Sequence, residues 1–227
     1  MDKGIGHSRS LRENLFILFV SLGTNIPLII IGKPGSGKSL SSHLIYKSMK
    51  GKYSTNDFFK FYPSIIQSYF QGSNSTTPED VENVFKISEG KLESFKENDG
   101  NTPISMLLFD ELGLAEKSKY NPLKVLHSKL DEYFNEHIQN KDNLNVENIH
   151  RVCFVGITNW TLDAAKLNRA LSLSVPDLDE DLGDLIETST TIAKSFNDNF
   201  AENVKKDNDN GENKENNQNI FILYQQC

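Results

Sequence analysis

Residues 27–39 read Pro27-Leu28-Ile29-Ile30-Ile31-Gly32-Lys33-Pro34-Gly35-Ser36-Gly37-Lys38-Ser39, and this stretch decides the fold. The unbroken apolar run before Gly32 reads as a strand buried on both faces. The next eight residues match G-x-x-x-x-G-K-[ST] in full. Lys38–Lys50 then reads as a helix opening directly after glycine. Strand, glycine-rich turn and helix in that order form a phosphate-binding loop. The glycines let the backbone curl so that successive N–H groups point inward at phosphate oxygens. The helix that follows presents the positive end of its dipole. Lys38 is placed to reach the β- and γ-phosphates of ATP, and the Ser39 hydroxyl to bind Mg²⁺. Gly32, Pro34, Gly35, Ser36, Gly37 and Leu40 complete the expected nucleotide-binding set.

Working outward, the next signal is Met106-Leu107-Leu108-Phe109-Asp110-Glu111, an apolar strand ending in two carboxylates. Ligands of parallel sheets sit beyond the carboxyl ends of the strands, so this pair and the phosphate loop are expected at one edge. Asp110 is placed to hold Mg²⁺ opposite Ser39, and Glu111 to orient the water that attacks the γ-phosphate. A further strand, Arg151–Thr158, ends in Asn159, whose amide is placed to touch the γ-phosphate or hold that water. Arg169 follows a short helix-like segment, Asp163–Asn168, and is placed either to neutralise transition-state charge or to cap a helix.

The remaining chain alternates in the same way. Leu11–Leu22 reads as a buried helix, Ile65–Phe70 and Ser105–Phe109 as strands, and Leu171–Val175 as a fifth strand. Thr76–Phe95 reads as a helix with Thr76 and Glu79 at capping-box spacing. Pro122 leads a helix over Leu123–Asn135, and the polar Glu136–His150 reads as a loop. Apolar strands alternating with helices imply an α/β three-layer sandwich around a parallel sheet of about five strands. We expect the nucleotide-binding core over residues 1–176, the start of a helical lid over 177–196, and an Asn-rich disordered tail over 197–227. An apolar run, Ile220–Tyr224, lies within that tail.

Composition narrows the field further. The 227 residues carry a net charge of −7, which argues against bulk binding to nucleic acid. Twelve of the 31 acidic residues but four of the 24 basic ones follow Pro176, so the charge belongs to the end of the chain. Two cysteines, Cys153 and Cys227, cannot build a disulfide framework or a four-ligand zinc site. No apolar run approaches the ~18 residues of a membrane span, and no signal peptide is recognisable at the N-terminus. The expected compartment is the cytoplasm. Cys153 and Trp160 read as packing residues, His127 as structural, and Gln71-Gly72-Ser73 as a polar loop.

Phosphate loop, Asp-Glu strand, Asn-tipped strand and trailing arginine, in this order, resemble an AAA+ ATPase module. Leu11–Phe16 (LRENLF), Ile26–Ser39, Phe109–Glu116 (FDELGLAE), Asn121–Leu130 and Phe154–Leu171 resemble more particularly the AAA+ units of mysterin, a giant RING-type ubiquitin ligase family. The resemblance covers most of Leu11–Pro176. It implies that Lys38 and Ser39 occupy Walker A positions, Asp110 and Glu111 Walker B, and Asn159 sensor 1, with Arg169 in the arginine-finger region. It also implies neighbouring AAA+ modules as partners, in one long chain or a homo-oligomer, within a setting of ubiquitin-system proteins. This chain has no cysteine–histidine cluster for a RING and no arginine after Arg169 to supply sensor 2. ATP hydrolysis is the leading expectation; the alternative is an ATP-binding switch with negligible hydrolysis because its lid is incomplete. A small-molecule kinase is disfavoured, because such enzymes use arginine-rich lids and this chain has Arg9, Arg12, Arg151 and Arg169 alone.

Overall fold

The apolar runs form the strands. In a computed structural model they are β1 (Leu28–Ile31), β2 (Ile65–Gln71), β3 (Ile104–Asp110), β4 (Val152–Thr158) and β5 (Leu171–Ser174). The structure describes residues 5–6, 8–94, 103–139, 152–176, 182–183 and 185–194. All strand pairs are parallel, and the order across the sheet is β2-β3-β4-β1-β5. Every residue of β1 and β4 is buried, as their unbroken hydrophobicity requires, whereas the edge strands β2 and β5 alternate or face outward.

Successive side chains point to opposite faces of a strand, so each central strand feeds two cores. Ile29, Ile31, Leu107, Phe109, Val152 and Phe154 pack on one side. There they meet α3 (Pro78–Ser94), α4 (Leu112–Glu116) and α5 (Lys124–Gln139), through Val81, Phe85, Leu112, Leu126 and Leu130. Phe85 stacks on Phe154 with ring centroids 6.1 Å apart. Leu28, Ile30, Met106, Leu108, Cys153, Val155 and Ile157 pack on the other side. Those residues meet α1 (Arg9–Thr24) and α2 (Lys38–Ser48) through Leu18, Leu22 and Ile45, and Met49 just past α2. Each such side chain contributes about 1.5–3 kcal/mol by leaving water. The three-layer α/β sandwich expected from the alternation is the architecture observed.

Several local expectations shift. The cap of α3 is not the Thr76/Glu79 pair but its neighbour by one residue. Asp80 N–H donates to Thr77 Oγ1 at 3.3 Å, and Asp80 Oδ2 accepts from both the N–H and the hydroxyl of Thr77 at 2.8 Å. This register places Pro78 in the first helical position, where its missing N–H costs nothing. Thr76 is buried and accepts from Ser73 N–H instead. Helix α5 runs on to Gln139, past the loop expected from Glu136, and α4 was not foreseen. The helix expected over Asp163–Asn168 is α6 (Ala164–Leu167).

The chain divides into two units, Ser10–Glu180, which holds the sheet, and Met1–Arg9 with Asp181–Cys227. Within the second, residues 182–183 and 185–194 are helical, in the stretch expected to begin a lid. The expected tail over 197–227 and the loop after Gln139 lie outside the described residues. Among the described residues no helix is long and apolar enough to cross a membrane.

Candidate nucleotide site

The strand order assembles the site. β4 lies between β1 and β3, so Asn159 at its tip falls between the phosphate loop and the acidic pair. These three tips border one cleft of about 460 Å³, lined by Pro34, Gly35, Gly37, Lys38, Ser39, Leu40, Asp110, Glu111, Ile157 and Asn159. Gly35 and Gly37 hold φ of +87° and +80°, values that side-chain-bearing residues adopt only under strain. Gly37 is also the N-cap of α2 and leaves that helix end without a side-chain cap, so its first N–H groups remain available to an anion.

Lys38 is 5% exposed, and its Nζ donates to the carbonyls of Gly32 at 2.6 Å and Lys33 at 2.8 Å and to Ser36 Oγ at 3.3 Å. Burial pulls its ammonium below the ordinary lysine range, while the carboxylates of Asp110 and Glu111 act in the opposite direction. Gly32 and Ser36 shape the loop from behind rather than lining the cleft. A Cβ on Gly32 would stand 3.0 Å from both Ser36 Oγ and Val175 Cβ.

Asp110 Oδ1 accepts the N–H of Glu111 at 2.8 Å, and Glu111 itself sits in the left-handed region at φ 53°. Asn159 Nδ2 donates to both carboxylate oxygens of Glu111 at 3.3 Å. Two supports hold this arrangement. Gly72 N–H donates to Asp110 O at 2.8 Å, and a Cβ there would come within 2.6 Å of Glu111 O. Gly72, in the loop that follows β2 as expected, is therefore also packed against the acidic turn, while Gln71 closes the strand. On the other side, Trp160 rests on Gly113 of α4, where a Cβ would meet its ring at 2.6 Å, and Lys117 Nζ lies 4.1 Å from the ring centroid. Cys153, as expected, is a core residue.

Arg169 stands outside the cleft. Its Nε donates to Asp131 Oδ1 on α5 at 2.8 Å, and its Nη1 donates to Ala165 O. The donor set of the cleft fits Mg²⁺·ATP in chemistry: hard oxygen ligands from Ser39 and Asp110, an ammonium, and a helix N-terminus behind a glycine-rich turn.

Residues 4–181 match the family model described as the RNF213 AAA domain. The chain belongs to the RNF213 AAA-domain family. Within curated proteins it is 36% identical over 191 residues to the E3 ubiquitin-protein ligase rnf213-beta of Danio rerio, covering 84% of this chain and 4% of that protein. It is 34% identical over 199 residues to the E3 ubiquitin-protein ligase RNF213 of Homo sapiens, covering 86% of this chain and again 4% of the relative. The chain thus spans a small part of the relatives it matches. The solved structure of Drosophila ORC bound to DNA aligns over 85% of this chain and 47% of its own at TM-score 0.44 and 13% identity. As an RNF213-type AAA domain, the chain is a nucleotide-binding module of a kind found within larger proteins.

Two residues at the site escaped the sequence reading. Tyr69, on β2, lies near Asp110, and its phenol titrates above the ordinary tyrosine range through partial burial and then the charge of Asp110. Asn14, on α1, is 1% exposed, and its Nδ2 donates to Ser36 O at 3.2 Å. Tyr69 comes to Asp110 through the register of the fold, in which Gln71 pairs with Asp110 and Tyr69 shares its face of β2.

Proposed function

We propose that this chain binds Mg²⁺·ATP at the Gly32–Leu40 loop and hydrolyses it to ADP and phosphate. The observation that carries the reading is the Asn159–Glu111 contact inside the same cleft as Lys38, Ser39 and Asp110. Ser39 and Asp110 are the residues that would hold Mg²⁺, and a bound Mg²⁺ would supply charge neutralisation across the phosphates. Lys38 binds the β- and γ-phosphates once they replace the loop carbonyls as its acceptors. Glu111 accepts a hydrogen bond from the attacking water and aligns it with the γ-phosphorus. The water oxygen forms the new P–O bond as the bond to the ADP oxygen breaks, and the water proton leaves through the Glu111 carboxylate. Asn159 keeps that carboxylate turned toward the cleft.

Arg169 belongs to the same proposal as the charge supplied to nucleotide on a neighbouring module. That role requires the Asp131 ion pair to open; both side chains are partly exposed, so opening costs at most about 1 kcal/mol. Neighbouring AAA modules and ubiquitin-system proteins are the partners this reading carries over from the relatives. The helical residues 182–183 and 185–194 are the proposed start of the lid.

Single-turnover hydrolysis tests the reading. Glu111→Gln should keep ATP affinity within about twofold and slow turnover by about 10²-fold or more, the usual worth of a positioned base. Equal rates in the two proteins would leave an ATP-binding switch as the function.

A further inference from the structure

Gly35 and Gly37 give the phosphate loop its shape, yet the same freedom leaves the peptide between Ser36 and Gly37 with more than one accessible orientation. Something outside the loop must select one. We propose that Asn14 is that selector: a positioning residue on α1 that turns the Gly37 N–H toward the phosphates of a bound nucleoside di- or triphosphate. The inference rests on the nucleotide reading above and assigns a role to Asn14, a polar side chain of the Leu11–Phe16 segment that reaches the loop.

The geometry runs through one hydrogen bond. Asn14 Nδ2 donates to Ser36 O at 3.2 Å across 22 residues of chain, and the contact is buried. No peptide bond among the described residues is cis, so the carbonyl of Ser36 and the N–H of Gly37 point in opposite directions. Fixing the carbonyl against α1 therefore aims the N–H away from α1. Gly37 lines the cleft and Ser36 does not, which places the cleft on the side toward which that N–H is turned. The outer side of the loop is closed by α1 itself: a Cβ on Gly37 would stand 3.5 Å from Leu11 Cδ1 and 3.9 Å from Asn14 Nδ2.

Burial makes the selection strict. A buried amide without a partner costs free energy, so Asn14 strongly favours the loop state that offers the Ser36 carbonyl. Flipping the peptide would bring Gly37 N–H against the Asn14 donor and turn a carbonyl dipole toward the phosphates. With the donor removed, both orientations remain open to a peptide that leads into Gly37, and nucleotide must then supply the ordering. The consequence is a loss of affinity that grows with the phosphates that the loop grips, without loss of the fold.

The experiment uses the 227-residue chain with ADP and ATP as probes. Affinity is measured by calorimetry, and the Gly37 amide is followed by ¹⁵N–¹H NMR with and without ADP. In the wild-type chain, ADP should shift the Gly37 amide strongly downfield as it donates to a phosphate oxygen. Asn14→Leu, with the same branching at Cγ but without a donor, should weaken ADP and ATP about 10-fold or more, on the scale of one hydrogen bond to a charged group. The downfield shift should shrink, while the melting temperature without nucleotide changes far less than the nucleotide-induced increase does. Asn14→Asp, which keeps the shape and replaces donor by acceptor, serves as the second variant should Asn14→Leu not fold, with the same expected result. Wild-type affinity and a wild-type Gly37 shift in either folded variant would overturn the inference. Failure of the wild-type chain to bind ADP or ATP would instead overturn the nucleotide reading, and this inference with it.

Discussion

Glu111 carries the sharpest conflict between local preference and observed conformation. A non-glycine residue at φ 53° costs of order 1–3 kcal/mol and persists only where its surroundings hold it. Here the holders are the Asp110 carboxylate on its N–H, the Asn159 amide on its carboxylate, and Gly72 beneath its carbonyl. Gly72→Ala should therefore act at a distance. Its Cβ would stand 2.6 Å from Glu111 O and 2.9 Å from Phe109 Cε2, so the acidic turn must move. We expect a stability loss of about 1–3 kcal/mol by denaturant titration. We also expect single-turnover hydrolysis to slow by an order of magnitude with ADP affinity little changed; an unchanged rate would show that the turn tolerates displacement. At this scale the sequence exposed Lys38, Ser39, Asp110 and Asn159, because each belongs to a local pattern at a strand end. Asn14, Tyr69 and Gly72 stayed hidden, because their partners Ser36, Asp110 and Glu111 are distant in sequence and become neighbours only through the fold.

Among the elements, α3 offers the clearest test of local design. Thr77 and Asp80 satisfy one another across the first turn, and Asp80 also faces the positive end of the helix dipole. Thr77→Ala should cost about 1 kcal/mol, read as a lower denaturant midpoint at unchanged slope. The same pair predicts a pH dependence. Hydrogen bonds from the Thr77 backbone and then its side chain hold the Asp80 carboxyl below its ordinary value of 3.8. The folded value lies below the unfolded one, so the stabilisation is complete above the unfolded value and fades as pH falls through the folded one. The stability difference between wild type and Thr77→Ala should accordingly narrow below about pH 4. Capping-box spacing was legible in the sequence, but two adjacent threonines each precede an acidic residue by three, and only Pro78 at the first helical position separates them. Helix α4 was not legible at all, because five residues carry less than two turns of periodicity.

For the whole molecule, the layer architecture was readable from alternation, but the order of strands was not. Continuous apolar runs report burial on both faces and say nothing of neighbours, so the placement of β4 between β1 and β3 emerged only with the structure. That placement gives β4 a central position and Cys153 a reporter's use. Burial pushes its thiol up to about 12, against a weaker opposing hydrogen bond from Ser21. In a Cys227→Ser background, thiol labelling at pH 8 should proceed only through opening of the sheet. Mg²⁺·ADP at 100 times its Kd should slow labelling about 100-fold if opening abolishes binding. Rapid labelling of the native chain would show that β4 opens locally.

The sheet order also bears on how the site comes into being during synthesis. β1 precedes the phosphate loop, yet its two neighbours are β4 and β5, with Leu28 beside Val155 and Leu171. A ribosome that has delivered residues 1–150 has made the whole loop, both glycines, Lys38 and the acidic pair, and neither strand that flanks β1. Asn159, whose strand tip lies between the loop and the acidic pair, is also still to come. The nucleotide cleft is therefore completed late, although its most recognisable motif precedes every strand but β1.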